Sequence, residues 1–171
     1  TLAIYVFTMV DGTMEVDLNN LKLNFTTTIY VNDGKGEYTE YKRLHDTFDR
    51  IWVPYDETAA KAKDPEYTGI PQQLVDAFVA IEDKRFYEHG GFDFNRTAGA
   101  ALELAKGNKS YGGSTIAQQL LENSTNERDS TVQRKVTEIS RAVSLTQKKT
   151  KNEVLEMYLN TIPLSHGNYG V

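Results

Sequence analysis

Residues 71–91 read PQQLVDAFVAIEDKRFYEHGG, and the spacing of the apolar residues in this stretch decides the fold class. The apolar positions follow a helical repeat and are Leu74, Val75, Phe78, Val79 and Ile81. This repeat is typical of an amphipathic helix, and a proline suits its first turn, whereas a glycine pair is typical of its end. The stretch therefore predicts a helix from about Pro71 to Gly90-Gly91.

The predicted helix carries a carboxylate inside its apolar arc. On a helical wheel Glu82 falls among the apolar positions, which include Phe86, whereas Asp83 falls outside them. Burial among apolar groups disfavours the charged form, so we expect a raised pKa for Glu82, which suits a general acid or base near neutral pH. The alternative is a helix that ends before Glu82, or a terminal glutamate whose carboxylate lies in solvent. His89 alone is more often a structural hydrogen-bonding residue than a catalyst.

Four more helices are predicted after this stretch. They cover about residues 95–106, a segment that begins at a Thr115–Gln118 capping box, about residues 130–147, and a segment from a Thr150–Glu153 capping box through Asn160. The third of these has an apolar stripe made of Val132, Val136, Ile139 and Val143. The predicted fold class is therefore mainly α.

The N-terminal part has strand signals. Residues 21–42 alternate around a turn at Asn32-Asp33-Gly34 and predict a β-hairpin, and residues 50–55 predict a short edge strand. Residues 1–10 are apolar but too few to span a bilayer, which needs about 20. They are a buried strand, a short helix, or the end of a membrane-anchor helix. We expect an anchor end at 1–10, a β-rich stem at 11–70 and a helical domain at 71–171, truncated at its C-terminus.

Composition excludes several classes of function. The 171 residues contain no Cys, which excludes a disulfide framework, a thiolate metal site and a cysteine nucleophile. The net charge of −5 argues against general nucleic-acid binding. Residues 128–151 nevertheless carry seven Lys or Arg against Asp129 and Glu138, so a local anion site is possible.

Glu138 is the second candidate carboxylate. Arg134, Lys135 and Arg141 lie within about one turn of it on the predicted helix, and such neighbours keep a carboxylate ionised. By spacing alone, a solvated face with surface ion pairs is the favoured interpretation. Two carboxylates with different pKa values are nevertheless the general arrangement for acid–base chemistry on sugars.

Residues 112–115, Gly-Gly-Ser-Thr, enter a helix with free backbone N–H groups and hydroxyls that suit an anion, although most such loops are only helix caps. Together with residues 82–91, 134–138 and 151–160, the run 112–120 resembles the four signatures of the family-51 peptidoglycan glycosyltransferases. These are the transglycosylase modules of class A penicillin-binding proteins. The resemblance covers about residues 70–171, and it implies a lysozyme-like helical domain.

The resemblance also implies an activity. The family polymerises lipid II: the 4-hydroxyl of an acceptor GlcNAc attacks the anomeric carbon of the donor, a β-1,4 bond forms with inversion, and undecaprenyl diphosphate leaves. The family's general base corresponds to Glu82 and its second glutamate to Glu138. The implied substrate-binding residues are Asp83, Phe86, His89, Gly113, Ser114, Thr115, Gln118, Gln119, Arg134, Lys135 and Asn160. The resemblance leaves open whether a divalent cation, Mg²⁺ or Mn²⁺, accompanies the diphosphate; no organic cofactor is implied.

The implied location is the outer face of the bacterial cytoplasmic membrane, with a single-pass anchor. The implied partners are lipid II, the lipid-linked glycan chain, the membrane and proteins of cell-wall synthesis or division, and no nucleic acid. The sequence departs from the family in two places. Glu122 stands where a lysine usually contacts the diphosphate, and residues 161–170 replace the aromatic residue and the Gly-Asn-Gly-like turn that usually follow the fourth signature.

Two alternatives remain at this point. Glu122 favours a catalytically impaired module that binds a lipid-linked precursor or protein partners. A lysozyme-like glycan hydrolase is the third interpretation, and the basic helix around Glu138 makes it the least favoured.

Overall fold

A computed structural model describes residues 27–32, 34–44, 52–56, 58, 69–108, 112–125, 131–164 and 168–171. The expected anchor end at 1–10, the first residues of the predicted hairpin and residues 59–68 of the expected stem lie outside these ranges. In the described ranges, no helix combines the length and the hydropathy that a membrane span requires.

The described chain is mainly helical, with one antiparallel hairpin on its N-terminal side. The elements are β1 (Thr27–Asn32), β2 (Tyr38–Leu44), α1 (Gln72–Glu82), α2 (Phe94–Ala105), α3 (Ile116–Thr125), α4 (Val132–Lys148) and α5 (Lys151–Thr161). This order confirms the predicted fold class and the predicted hairpin. Thr27 pairs with Leu44 and Asn32 with Tyr38, and a bulge falls between Ile29 and Tyr30.

The hydrophobic core forms where α3 packs against both α4 and α5. Its fully or nearly fully buried members include Val75, Phe86, Ile116, Leu120, Leu121, Ala142, Leu145, Val154, Leu155, Tyr158 and Leu159. Each large side chain in this set contributes about 1.5–3 kcal/mol of burial free energy. The centre of the domain is therefore α3, and α3 also follows directly on the Gly-Gly-Ser-Thr run.

The two predicted capping boxes are confirmed. Gln118 N–H donates to Thr115 Oγ1 at 3.3 Å, and Thr115 N–H donates to Gln118 Oε1 at 3.0 Å. Thr150 and Glu153 make the same reciprocal pair at the start of α5. Reciprocal bonds of this kind satisfy N–H groups that have no partner inside a helix, so both helices start where the sequence predicts.

The predicted end of the first helix was wrong. The helix ends at Glu82, and residues 84–88 form turns instead of continuing to Gly90. Asp83 leaves the helical conformation, with φ −157° and ψ 69°, and its carboxylate is taken up by partners outside α1. The hydrogen bond between Asp83 and Ile116 therefore ends the helix, although the apolar repeat in the sequence continues.

The predicted buried stripe of α4 was also wrong. Val132 is 80% exposed, and Val136, Ile139 and Val143 are only partly buried. The buried face carries Glu138, Ala142 and Leu145. A buried carboxylate needs polar partners, and Glu138 finds them in Gln118 on α3 and in Arg134 and Lys135 on its own helix, which explains why this face of α4 turns inward.

Residues 52–55 form no strand, although an edge strand was predicted there. The side chain of Asn160 on α5 takes the place of a pairing strand: its Oδ1 accepts from Val53 N–H and its Nδ2 donates to Val53 O, both at 2.8 Å. Glu156 accepts from the Trp52 indole at 2.6 Å and from Tyr55 N–H at 2.8 Å. We call residues 52–55 the strap. These hydrogen bonds tie the strap to α5.

Asn160→Ala is expected to lower the free energy of unfolding by about 1–3 kcal/mol, because it leaves both polar groups of Val53 without their partners. Urea denaturation measures this loss. Asn152→Ala is the matched control, since Asn152 is an exposed asparagine on the same helix. Equal losses in the two variants would contradict the role given to Asn160.

Candidate active site

Glu82 lies at the C-terminal end of α1 and faces the first turn of α3. Gln119 Nε2 donates to Glu82 Oε2 at 3.0 Å, and Tyr158 O–H donates to Gln119 Oε1 at 3.0 Å. Glu82 is partly exposed and Ile81 beside it is 76% exposed. The expected apolar enclosure therefore does not form, because the helix ends before Phe86 can close the arc. The carboxylate is instead held by one amide and remains partly open to solvent.

The phenol hydroxyl that bonds Gln119 comes from the core. Tyr158 is fully buried, and its ring meets that of Phe78 edge to face, with centroids 6.1 Å apart. Burial, together with the nearby charge of Glu82, raises the pKa of Tyr158 well above its usual range. The phenol therefore stays protonated and remains a hydrogen-bond donor.

Asp83 is fully buried and links α1 to α3. Its Oδ2 accepts from Ile116 N–H at 3.0 Å, and its two oxygens lie 2.9 and 3.1 Å from His89 Nε2. The structure thus gives His89 a hydrogen-bonding role. The other ring nitrogen of His89, Nδ1, is buried and has no hydrogen-bond partner among the described residues.

Glu138 does not lie on a solvated face, contrary to the favoured interpretation of its spacing. It is buried, and it accepts from Gln118 Nε2 at 2.9 Å, from Arg134 Nη1 at 3.2 Å and from Lys135 Nζ. Lys135 Nζ also donates to Ser114 Oγ at 3.0 Å. These contacts fix Glu138 between two cations and join α4 to the Gly-Gly-Ser-Thr run.

The Gly-Gly-Ser-Thr run is held mainly through its own backbone and its threonine. Arg96 Nε donates to Gly112 O at 3.0 Å, and Thr97 O–H donates to Gly113 O at 3.3 Å. A Cβ on Gly113 would lie 3.1 Å from that of Ala100, so a larger residue fits poorly. Thr115 O–H donates to Gly91 O at 2.7 Å. The run is therefore a fixed part of the site.

The predicted site residues fall into groups. Glu82 with Gln119, and Glu138 with Gln118, Arg134, Lys135 and Ser114, form two clusters joined by consecutive residues of α3. Asp83, His89 and Thr115 brace the segments between them. Phe86 is fully buried, and Asn160 is used by the strap, so the structure places these two in packing and anchoring roles.

The chain is similar to known sequences. The sequence model of the transglycosylase family matches residues 49–171. The chain belongs to the transglycosylase family. It is 43% identical to penicillin-binding protein 2D of Bacillus subtilis over 149 aligned residues. The aligned region covers 85% of the chain and 19% of that relative. It is 36% identical to penicillin-binding protein 1A of Escherichia coli over 157 aligned residues. That region covers 90% of the chain and 16% of the relative. The chain thus spans less than a fifth of the length of these relatives.

Three residues that hold the candidate site in place were not singled out from the sequence. Tyr158 lies within residues 151–160, the run that resembles the fourth signature, but nothing in its spacing indicated the contact with Gln119. Asp93 accepts two bonds from Arg85 and one from Arg96 N–H, 2.9 Å. An acidic residue just before a predicted helix was the available signal for Asp93.

Lys151 is the third of these residues, and it closes the turn that follows α1. Its Nζ lies 4.3 Å from the centre of the Phe86 ring and donates to Phe86 O and to His89 O. Burial lowers the pKa of Lys151. Its position at the start of a predicted helix gave no sign of these contacts, because both partners lie more than 60 residues away.

The resemblance leaves a divalent cation open, and two sets of candidate ligands among the described residues bear on it. Asp83, His89 and Asp93 bring three ligand atoms within 4.8 Å of one another. However, Arg85 already neutralises Asp93, and Asp83 is taken by Ile116 N–H and His89. Glu138 is likewise taken by Arg134 and Lys135. Neither donor set fits a metal ion without displacing protein cations or donors.

The Asp93 interaction predicts a pH dependence of stability. Burial raises the pKa of Asp93, but the hydrogen bonds from Arg96 N–H and Arg85, with the charge of Arg85, outweigh it, so the net pKa is lowered. A lowered folded-state pKa stabilises the fold above the unfolded-state value, about 3.9, and this contribution disappears as the pH falls through the folded-state pKa.

Asp93→Asn should therefore lower the free energy of unfolding at pH 7. The gap in this free energy between the variant and the parent chain should narrow progressively as the pH falls below about 4. Urea denaturation at about pH 3 to 7 measures both curves. Asp76→Asn is the matched control, because Asp76 is an exposed aspartate on α1 that accepts one bond from Gln72. A gap that does not change with pH would contradict the prediction.

Proposed function

We propose that this chain is a peptidoglycan glycosyltransferase module that polymerises lipid II into β-1,4 glycan strands and releases undecaprenyl diphosphate. The observation that carries the proposal is the contrast between its two glutamates. Within the described ranges Glu82 is bonded by a neutral amide and by no cation, whereas Glu138 is bonded by two cations. A partly open carboxylate beside a cationic cluster suits proton abstraction beside an anionic leaving group.

In this proposal Glu82 accepts the proton from the 4-hydroxyl of the acceptor GlcNAc. The oxygen then attacks the anomeric carbon of the donor from the face opposite the leaving group, which inverts that centre. The Gln119 amide keeps the carboxylate aimed at the hydroxyl, because its N–H fixes one of the two carboxylate oxygens. The proton remains on Glu82 until the product strand moves on.

The leaving diphosphate is assigned to the cluster around Glu138. Lys135 is only partly buried and already touches Ser114 just before α3, so it can turn toward an anion there. Glu138 holds Arg134 and Lys135 in place, and its own charge keeps the site from being excessively basic. Each charge-assisted hydrogen bond to the diphosphate would contribute about 1.5–3 kcal/mol. No step in this proposal uses a metal ion.

The proposal extends to location and partners. The sequence relatives are penicillin-binding proteins. We therefore propose attachment to the bacterial cytoplasmic membrane, with the helical domain on its outer face, where a lipid-linked donor and a growing lipid-linked glycan chain are both accessible. Proteins of cell-wall synthesis or division are the proposed protein partners.

Glu82→Gln is expected to reduce lipid II polymerisation by about 10²–10⁴-fold in the full-length protein, because the amide cannot accept the proton. Consumption of fluorescently labelled lipid II measures the rate, and gel separation of the products measures strand length. Glu88→Gln is the matched control, because Glu88 is an exposed glutamate in the turn that follows α1. Undiminished activity of Glu82→Gln would contradict the assignment of Glu82 as the base. Release of muropeptides from isolated cell walls would instead favour a lysozyme-like glycan hydrolase.

Glu122 supports a second candidate function, a module that binds its precursor but turns it over poorly. It lies on α3 one turn beyond Gln118 and Gln119 and is partly exposed, so its negative charge would repel a diphosphate held at the start of the helix. We expect Glu122→Lys to tighten binding of a short-chain prenyl diphosphate by about tenfold at low salt, with a smaller effect at high salt.

Isothermal titration at two salt concentrations measures this change. The matched control is Glu37→Lys, which reverses the same charge at an exposed position just before β2. An equal gain in both variants would show a general charge effect and would remove the support for an impaired module.

A further inference from the structure

We propose that Tyr158 is a positioning residue that holds the carboxamide of Gln119 in the orientation that donates a hydrogen bond to Glu82. The inference rests on the proposed role of Glu82 as the base. It concerns a buried residue of α5 that would not itself touch the substrate, and it explains how a flexible glutamine can present a fixed donor.

The geometry forms a continuous chain of two hydrogen bonds. Tyr158 O–H lies 3.0 Å from Gln119 Oε1, and Gln119 Nε2 lies 3.0 Å from Glu82 Oε2. The three residues come from three helices, α5, α3 and α1. The middle residue is the one whose donor and acceptor could exchange places by a half-turn of its amide.

A carboxamide has nearly the same shape after a half-turn, so packing alone does not choose its orientation. Hydrogen bonding does. An ionised Glu82 accepts but cannot donate, so Gln119 must turn its N–H toward it. The amide oxygen then faces Tyr158, which must donate, and burial keeps that phenol protonated.

The opposite orientation would place the amide oxygen against the carboxylate. Two acceptors at this distance repel, so Glu82 would turn away from the position in which it meets the acceptor hydroxyl. Tyr158 disfavours this flipped amide. If the amide N–H faced Tyr158, the bond from Gln119 to Glu82 would be lost, and the phenol hydrogen would no longer have Gln119 Oε1 as its acceptor.

The donor is also held in place from outside the site. The Tyr158 ring is fully buried against Phe78, and α5 is tied to the strap through Glu156 and Asn160. A rigid donor on a braced helix loses little entropy when it fixes a mobile amide. This is the property required of a positioning group.

The test is a double-mutant cycle in the full-length protein, with lipid II polymerisation as the assay. Tyr158→Phe removes only the hydroxyl and should lower kcat by about three- to tenfold without changing KM, since one hydrogen bond is lost and no substrate contact. In the Gln119→Ala background the same change should have no further effect, because the group through which Tyr158 acts is gone. Tyr41→Phe is the matched control, because Tyr41 is an exposed tyrosine of β2, outside the helical domain.

A second readout does not require activity. The side-chain amide protons of Gln119, followed by NMR, should exchange faster with solvent and shift in Tyr158→Phe, although the lost bond is on the oxygen side. A purely structural role for Tyr158 would leave the bond to Glu82, and therefore these signals, unchanged. Thermal unfolding of each variant verifies that the fold is retained.

The double-mutant cycle and the amide signal together distinguish the proposed role of Tyr158 from a purely structural one. Loss of kcat that disappears in the Gln119→Ala background, with a changed amide signal, supports the proposal. An equal fold loss in both backgrounds, or an unchanged amide signal, overturns it. Absence of polymerisation by the parent protein overturns the proposed function instead, and the amide signal then decides the role of Tyr158 alone.

Discussion

The buried carboxylate of Asp83 is the interaction on which the rest of the site depends. A charge removed from water is costly unless it is fully bonded, and here Ile116 N–H and His89 Nε2 supply the bonds. Asp83 directly follows Glu82, and Ile116 is the first residue of α3. The same bonds that satisfy Asp83 therefore set the end of α1 against the start of α3, which brings Glu82 within reach of Gln119.

The first turn of α3 then distributes two similar side chains to two different environments. Consecutive residues on a helix point about 100° apart. Gln119 therefore reaches Glu82 at the end of α1, and Gln118 reaches Glu138 on α4. Gln118 also closes the capping box with Thr115. Consecutive residues of one helical turn thus bond two carboxylates, Glu82 through an amide and Glu138 through an amide and two cations. This difference in surroundings supports distinct roles for the two.

Local features of the fold could be predicted from the sequence because their causes are local. The capping boxes at Thr115 and Thr150 depend on residues three positions apart, and they were placed correctly. The burial of Glu138 could not be predicted, because it depends on residues 20 or more positions earlier in the chain. Gln118 bonds Glu138 directly, and Ser114 bonds Lys135, which in turn bonds Glu138. A helical wheel shows only neighbours on the same helix, so it assigned Glu138 to solvent.

The segments that carry the site supply hydrogen-bond partners to one another, which explains why they pack together. Lys151 at the start of α5 donates to the carbonyls of Phe86 and His89 in the turn after α1. Gly91 ends that turn at φ +89°, and a Cβ there would collide with Ala142 O on α4. Thr115 meanwhile donates to Gly91 O. Because each segment satisfies a polar group or a steric limit of another, displacing one would expose unpaired groups in the others, and the two glutamates keep a fixed separation.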